Sequence, residues 1–336
     1  MKRALLVILT LLAGGCRVEL GARGEADSTS GDRTVHVYTS IYQDVVDAIE
    51  PALDARLAKT APGVRVEWFS SGSEKVAARL DAELAAGGSP CDVLVTSDPG
   101  YYAKLKADGR LVPYVSPAAL RQPRAFVDPD GDWAASRLST MVIGLSPAES
   151  KRADRPTAFR DLAKPGTRVS IGDPLSSGTN FTTVSTLSDR FGWDFYRALK
   201  SKGTIASGGS PAVIQRLESG ESDAGIVLLE NLLLANGGGN GLGIVIPSDG
   251  AVIIPGPIAL MTHARHSEAA RAVYDAMLSD EVQAVIVGVG KMHSPDPSIA
   301  PPPGVPPLES LLPAALPSAK QSPDVVKSTF DGIFFR

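Results

Sequence analysis

The chain has 336 residues, a formal net charge of −4, 43% hydrophobic residues and 21% charged ones. That balance is ordinary for a globular protein with room for two domains, and it offers no basic footprint for nucleic acid or an anionic lipid surface. Cysteine occurs only at Cys16 and Cys91, which excludes a scaffold held by several disulfides.

In chain order, Lys2 and Arg3 form a positive start, residues 4–12 an apolar run, and Ala13, Gly14 and Gly15 a small-residue cleavage site directly before Cys16. The run is too short to span a bilayer, and this three-part order reads as a secretory signal over residues 1–15. A cysteine straight after the small residues resembles the bacterial lipobox, although Ala13 stands where that pattern prefers Leu. The resemblance implies that Cys16 is acylated and becomes the mature N-terminus; plain secretion is the alternative. If Cys16 carries lipid, no internal disulfide is possible, and Cys91 reads as a small buried hydrophobe. Residues 16–32, polar and without periodicity, read as a flexible tether.

The fold is expected to begin at Thr34. Alternation over residues 35–38 predicts a strand, and Val45, Ile49, Leu53 and Leu57 predict a helix over 44–58. Residues 64–68 follow as a strand, 73–86 as a helix and 92–96 as a third strand. This βαβαβ run signals a mostly parallel sheet with helices on its faces. The pattern repeats with a strand at 168–171, helices at 180–190, 194–201 and 211–219, and a strand at 224–229. Two such units imply an α/β chain of two lobes with a ligand cleft between the carboxyl ends of their strands. Residues 251–261 are apolar but interrupted by Pro255 and Pro257, so only 252–254 read as strand, followed by a helix at 267–278. The Pro-rich stretch 294–307 reads as an ordered surface crossing, because Leu308, Leu311, Leu312, Phe330, Ile333, Phe334 and Phe335 still need burial.

Four polar loops sit between a strand and a helix. They hold Ser40 and Tyr42; Ser71, Gly72 and Ser73; Ser97 and Asp98; and Ser176, Ser177, Gly178, Thr179 and Asn180. Free N–H groups at helix starts favour an anion. Ser, Thr and Asp are also ordinary N-caps, but four such loops in matching positions point to a binding site.

The order of these motifs resembles a known family. Val37, Tyr38, Thr39 and Ser40, then Ser71, Gly72, Ser73 and Glu74 with Leu80 and Glu83, Asp92 and Val93 before Thr96, and residues 107–111 are similar to the first lobe of bacterial extracellular solute-binding proteins of ABC importers. The branch is that of the ferric-iron, phosphonate and sugar-phosphate binders. Residues 173–179, 212–220, 223–225 and 292–308 continue the likeness. The resemblance implies a two-lobed, type 2 periplasmic-binding-protein-like fold that closes on its ligand and docks on an inner-membrane ABC permease. It further implies a first lobe of residues 33–127 with a return segment at 252–290, and a second lobe of 128–251 with a C-terminal segment at 291–336. A periplasmic or cell-surface monomer, held to the membrane through lipid only, is the expected form.

Departures from the family pattern bear on the ligand. Iron binders of this family carry adjacent tyrosines where this chain has Glu230 and Asn231, and their customary His and Glu ligands appear as Tyr42 and Ser97. Tyr101 and Tyr102 lie at a first-lobe helix start, away from that second-lobe position. No metal or cofactor is therefore expected, with ferric iron as the alternative. Ser176, Ser177, Gly178 and Thr179, faced by Ser40, Ser71 and Ser73 and joined by Ser210, suit a phosphate, phosphonate or similar oxyanion. Arg137 is either a bidentate partner for it or a solvated surface arginine. Glu230 and Asp98 would repel an anion, and make sense if the ligand also has a cationic or polyhydroxyl end. A secreted hydrolase is disfavoured: there is no H-E-x-x-H, G-x-S-x-G or S-x-x-K, and His36, His263, His266 and His293 are scattered. An adhesion or structural lipoprotein is a third class and would have no cleft.

Overall fold

The computed structural model describes residues 33–264, 267–311 and 320–336. The signal, the tether, Cys16, His266 and Leu312 lie outside those residues. The first elements are β1 (Arg33–Thr39), α1 (Gln43–Thr60), β2 (Val64–Ser70), α2 (Ser73–Ala85), β3 (Val93–Val95), α3 (Pro99–Ala107) and β4 (Leu111–Val112). Then come β5 (Ala134–Leu145), β6 (Val169–Ile171), α4 (Gly178–Phe191), α5 (Trp193–Ser201), β7 (Ile205–Ala206), α6 (Ser210–Glu218), β8 (Ala224–Leu228), α7 (Leu229–Gly237) and β9 (Gly243–Val245). The chain continues through β10 (Val252–Met261), α8 (Ser267–Met277), α9 (Asp280–Gly288) and α10 (Pro323–Phe334).

The strands form one sheet in the order β2-β1-β3-β10-β5-β8-β6-β7. Its two ends are parallel, β2-β1-β3 on one side and β8-β6-β7 on the other. The long strands β10 and β5 run antiparallel to each other and join them. Each parallel end is covered on both faces, as parallel sheets require. On the first, α1, α8 and α9 bury Val45, Ile49, Leu53, Val273 and Ile286 on one face, while α2 and α3 bury Val76, Leu80, Tyr102 and Leu105 on the other. On the second, α4, α5 and α10 share Phe181, Leu187, Tyr196 and Phe330, opposite α6 and α7 with Val213, Leu217 and Leu232.

One strand goes unread in the sequence and one expectation needs correction. β5 escapes the sequence patterns because every one of its twelve residues is buried, so the alternation that marks a half-exposed strand is missing. Within β10 the prolines do not end the strand at Ile254. Pro255 and Pro257 are accommodated around a register shift between Gly256 and Pro257, a bulge at which a strand can tolerate proline. Along β10, Val252 and Ile254 belong to the core under α4 and α10, and Ile258 and Leu260 to that under α1.

The C-terminal helix is integral to the second core. Ser322 caps it by accepting from the Val325 N–H, Pro323 occupies its first turn, and Phe330 is fully buried, stacked on Phe334 at 4.5 Å and edge-on to Tyr196 at 5.8 Å. Phe330→Ala is expected to cost about 3–5 kcal/mol, read as a lower urea midpoint with an unchanged slope. An unshifted midpoint would place α10 outside the cooperative core.

Candidate functional site

Strand-to-helix loops from both ends of the sheet converge on one cavity of about 200 Å³. From the first end come Ser40 and Tyr42 after β1, Gly72 and Ser73 after β2, and Ser97 after β3. From the second come Ser176, Ser177, Gly178 and Thr179 after β6, Ser210 after β7, and Glu230 just past β8. These loops share one location because each leaves the carboxyl end of its strand and turns into a helix, bringing the positive helix ends α2, α4, α6 and α7 to the cavity wall. The two sides approach closely. A Cβ on Gly178 would lie 2.8 Å from that of Ser73, so α4 can start against α2 only with glycine there.

Ser71, Asp98 and Asn180 stand apart from the lining. The Ser71 N–H is spent on the Thr39 carbonyl at 3.0 Å. Asp98 turns back to cap α3, accepting from the N–H groups of Gly100 at 3.1 Å and Tyr101 at 3.3 Å. Burial, then Glu74, raises its carboxyl to about 6, against an easing pull from Lys327; that lysine, on α10, donates to Glu74 at 2.7 Å. Asn180 is buried under Gly172, whose missing Cβ would fall within 2.1 Å of the Asn180 amide nitrogen.

Arg137 is a buried residue and not a solvated surface arginine. The residue is 2% exposed, rising from β5 into the cavity lining. Its Nη2 donates to Ser97 Oγ at 2.8 Å and to Ser40 Oγ at 3.1 Å, and among the described residues it makes no ion pair. Burial lowers its guanidinium to about 10, opposed by Tyr102, Glu230 and Tyr42. Glu230 is buried as well, and burial raises its carboxyl to about 7 despite the Ser139 hydroxyl, the Thr140 N–H and Arg137, which favour the charged form. The Tyr42 phenol is held above its ordinary range by loss of solvent and by Glu230, although the residue keeps 42% of its surface exposed. Ser139 and Met292 also line the cavity and carry no sequence signal of that role.

Other candidates separate from this site. Tyr102 is a structural tie: its hydroxyl accepts from the Thr96 N–H at 2.9 Å and lies 2.9 Å from the Pro257 carbonyl, and Tyr101 bonds Asp81 at 3.0 Å. Asp128, Asp130 and Asp132 are the one group of three possible metal ligands among the described residues. The Lys106 ammonium already sits among them at 2.7, 2.7 and 3.1 Å, so their charge is met internally. His36, His263 and His293 lie away from the cavity lining, so among the described residues no imidazole stands beside its serines. No helix among the described residues is long and apolar enough to cross a membrane.

Comparison with known proteins agrees with this architecture. A family described as bacterial extracellular solute-binding protein matches residues 40–290. The structure is similar to iron-bound HitA from Pseudomonas aeruginosa, with a TM-score of 0.77 at 20% identity over 89% of this chain and 99% of that one. It is similar to the substrate binding protein of an ABC transporter from Agrobacterium tumefaciens, with a TM-score of 0.76 at 18% identity, covering 92% and 95%. It also resembles the periplasmic binding protein AfuA from Actinobacillus pleuropneumoniae with fructose-6-phosphate bound, with a TM-score of 0.71 at 20% identity, covering 89% and 96%. The fold is thus the two-lobed, type 2 periplasmic-binding-protein fold.

Proposed function

We propose, for a chain that belongs to the bacterial extracellular solute-binding proteins, that its cleft captures a small oxyanionic solute, a phosphonate or a phosphorylated metabolite, for delivery to an ABC permease. The observation that carries this reading is Arg137, a buried cation without a carboxylate partner among the described residues, surrounded by serine hydroxyls and helix N-termini. A buried charge of this kind is costly unless it is compensated, and the hydroxyls and helix N-termini of the wall favour negative charge, against Glu230 and Tyr42 and beside the apolar Ile41, Leu228 and Met292. Glu230 suits a ligand with a cationic or hydroxyl-bearing second end. Binding of this sort is capture without turnover.

A competing reading is ferric iron. It is favoured by two structural neighbours, iron-bound HitA and a ferric binding protein from Campylobacter jejuni, and by the oxygen donors Tyr42 and Glu230 in the lining. A thermal-shift screen of purified protein separates the two. A rise in melting temperature with 2-aminoethylphosphonate, glucose 6-phosphate or glycerol 3-phosphate is expected, since a ligand at 100 times its Kd adds about 2.7 kcal/mol. Stabilisation by ferric salt alone, with a visible absorption band, would replace the oxyanion reading with the metal one.

The receptor is proposed to act as a monomer tethered by lipid on Cys16, which raises its effective concentration near the permease. Mass spectrometry of the mature N-terminus should find that cysteine acylated. An unmodified cysteine would remove the tether.

A further inference from the structure

We propose that Arg137 is a positioning residue: in the space left by Gly256, it fixes Ser40 and Ser97 as hydroxyl donors toward the cleft, so that this end of the site takes a group offering only oxygen acceptors. The proposal rests on the oxyanion reading of the cleft.

The geometry runs from one guanidinium to two separate loops. Both hydrogens of Nη2 are spent, one on Ser97 Oγ at 2.8 Å and one on Ser40 Oγ at 3.1 Å. Those serines follow adjacent parallel strands, β1 and β3, whose ends are already tied by the Ser40 N–H donating to the Val95 carbonyl at 2.9 Å; the arginine joins the two side chains as well. A hydroxyl whose oxygen accepts from a cation must aim its own hydrogen elsewhere, and the charge makes it a stronger donor. Both serines line the cavity. Two further hydroxyls there are set the same way by backbone: Ser73 Oγ accepts from the Ser97 N–H at 3.4 Å, and Ser210 Oγ from the Leu228 N–H at 3.3 Å.

The arginine keeps this place because of its neighbour across the sheet. Gly256 is its register partner in β10, immediately before the bulge. A Cβ at Gly256 would lie 2.9 Å from both Cγ and Nη1 of Arg137 and 3.0 Å from Cζ. Ser136 closes the arrangement, its Oγ donating to the Gly256 carbonyl at 2.8 Å and lying 3.4 Å from Arg137 Nη1. The side chain is buried, so it can yield to a methyl group only by leaving the two serines.

The test is a double-mutant cycle by calorimetry with inorganic phosphate at pH 8, comparing wild type, Arg137→Lys, Ser40→Ala with Ser97→Ala, and the triple variant. Lysine keeps the charge but has no fork, so the single change should weaken binding about 10- to 100-fold, as expected for loss of hydrogen bonds to a charged group. The serine pair should lose a similar factor, and the triple variant should be little weaker than either. Gly256→Ala should follow Arg137→Lys while keeping a cooperative urea transition. Additive losses, meaning that the arginine meets the anion directly, or wild-type affinity in Gly256→Ala, would overturn the proposal alone. No phosphate heat from the wild type would overturn the oxyanion reading and the proposal with it.

Discussion

Arg137→Met is expected to lose phosphate-bearing ligands almost entirely, with affinity falling by about 30- to 5000-fold, while the folded protein is no less stable. The first half follows from burial. Breaking a desolvated, hydrogen-bonded charge network costs about 2–5 kcal/mol in binding, here by releasing the Ser40 and Ser97 hydroxyls that Arg137 aims at the anion and removing the charge behind them. The second half has the opposite sign. In the unliganded protein the guanidinium is 2% exposed and bonded only to serines, so an apolar side chain of similar length spares its desolvation. Calorimetry and urea denaturation on the same preparation check both halves. A variant that binds normally would sever Arg137 from ligand capture. A variant that binds poorly because it unfolds would show Arg137 to be a core residue.

The second large effect is a pH dependence set by Glu230. Its carboxyl titrates at about 7 because it is buried, and an anion bound beside it favours the protonated form still further. Affinity should therefore be fully present below pH 7 and fall by as much as tenfold per pH unit above it. Arg137 at about 10 stays charged across this range, and Asp98 at about 6 is already ionised. The Tyr42 phenol, raised above its ordinary range, stays neutral. A phosphate monoester is dianionic above its own second pKa near 6, so glucose 6-phosphate between pH 7 and 9 isolates the protein's contribution. Glu230→Gln should flatten the profile and bind more tightly than wild type at pH 9. Stability carries the same sign: a carboxyl raised from 4.5 to about 7 on folding gives stability that is present below pH 4.5 and lost as pH rises through 7. A wild-type affinity for glucose 6-phosphate that rises with pH would contradict this role of Glu230, whereas a rise seen only with 2-aminoethylphosphonate would mean that its ammonium meets the carboxylate.

The elements that position the site were legible because their chemistry is local. Helix starts after strands are expected at Ser73, Asn180 and Pro211, and α2, α4 and α6 begin at Ser73, Gly178 and Ser210. Whether a loop residue faces the cleft or caps its own helix was not legible. Asp98 and Ser97 are adjacent in sequence, yet Asp98 folds back on α3 while Ser97 meets Arg137. That choice depends on a partner forty positions away. Arg137 itself was ambiguous because β5 shows no alternation; with all its residues buried, the pattern that would have separated an inward arginine from a solvated one is absent. The bulge at Gly256 was hidden for a related reason, since prolines ordinarily argue against a central strand and only the pairing with β5 reveals how this one is carried.

The account turns on the cleft taking an oxyanion, and isothermal titration of the wild-type protein with 2-aminoethylphosphonate, glucose 6-phosphate and glycerol 3-phosphate at pH 7 tests it most directly. Saturable heat at one ligand per chain with at least one of them, lost in Arg137→Met, is the predicted result. The absence of heat from all three, with ferric salt binding at Tyr42 and Glu230 in their place, would contradict it.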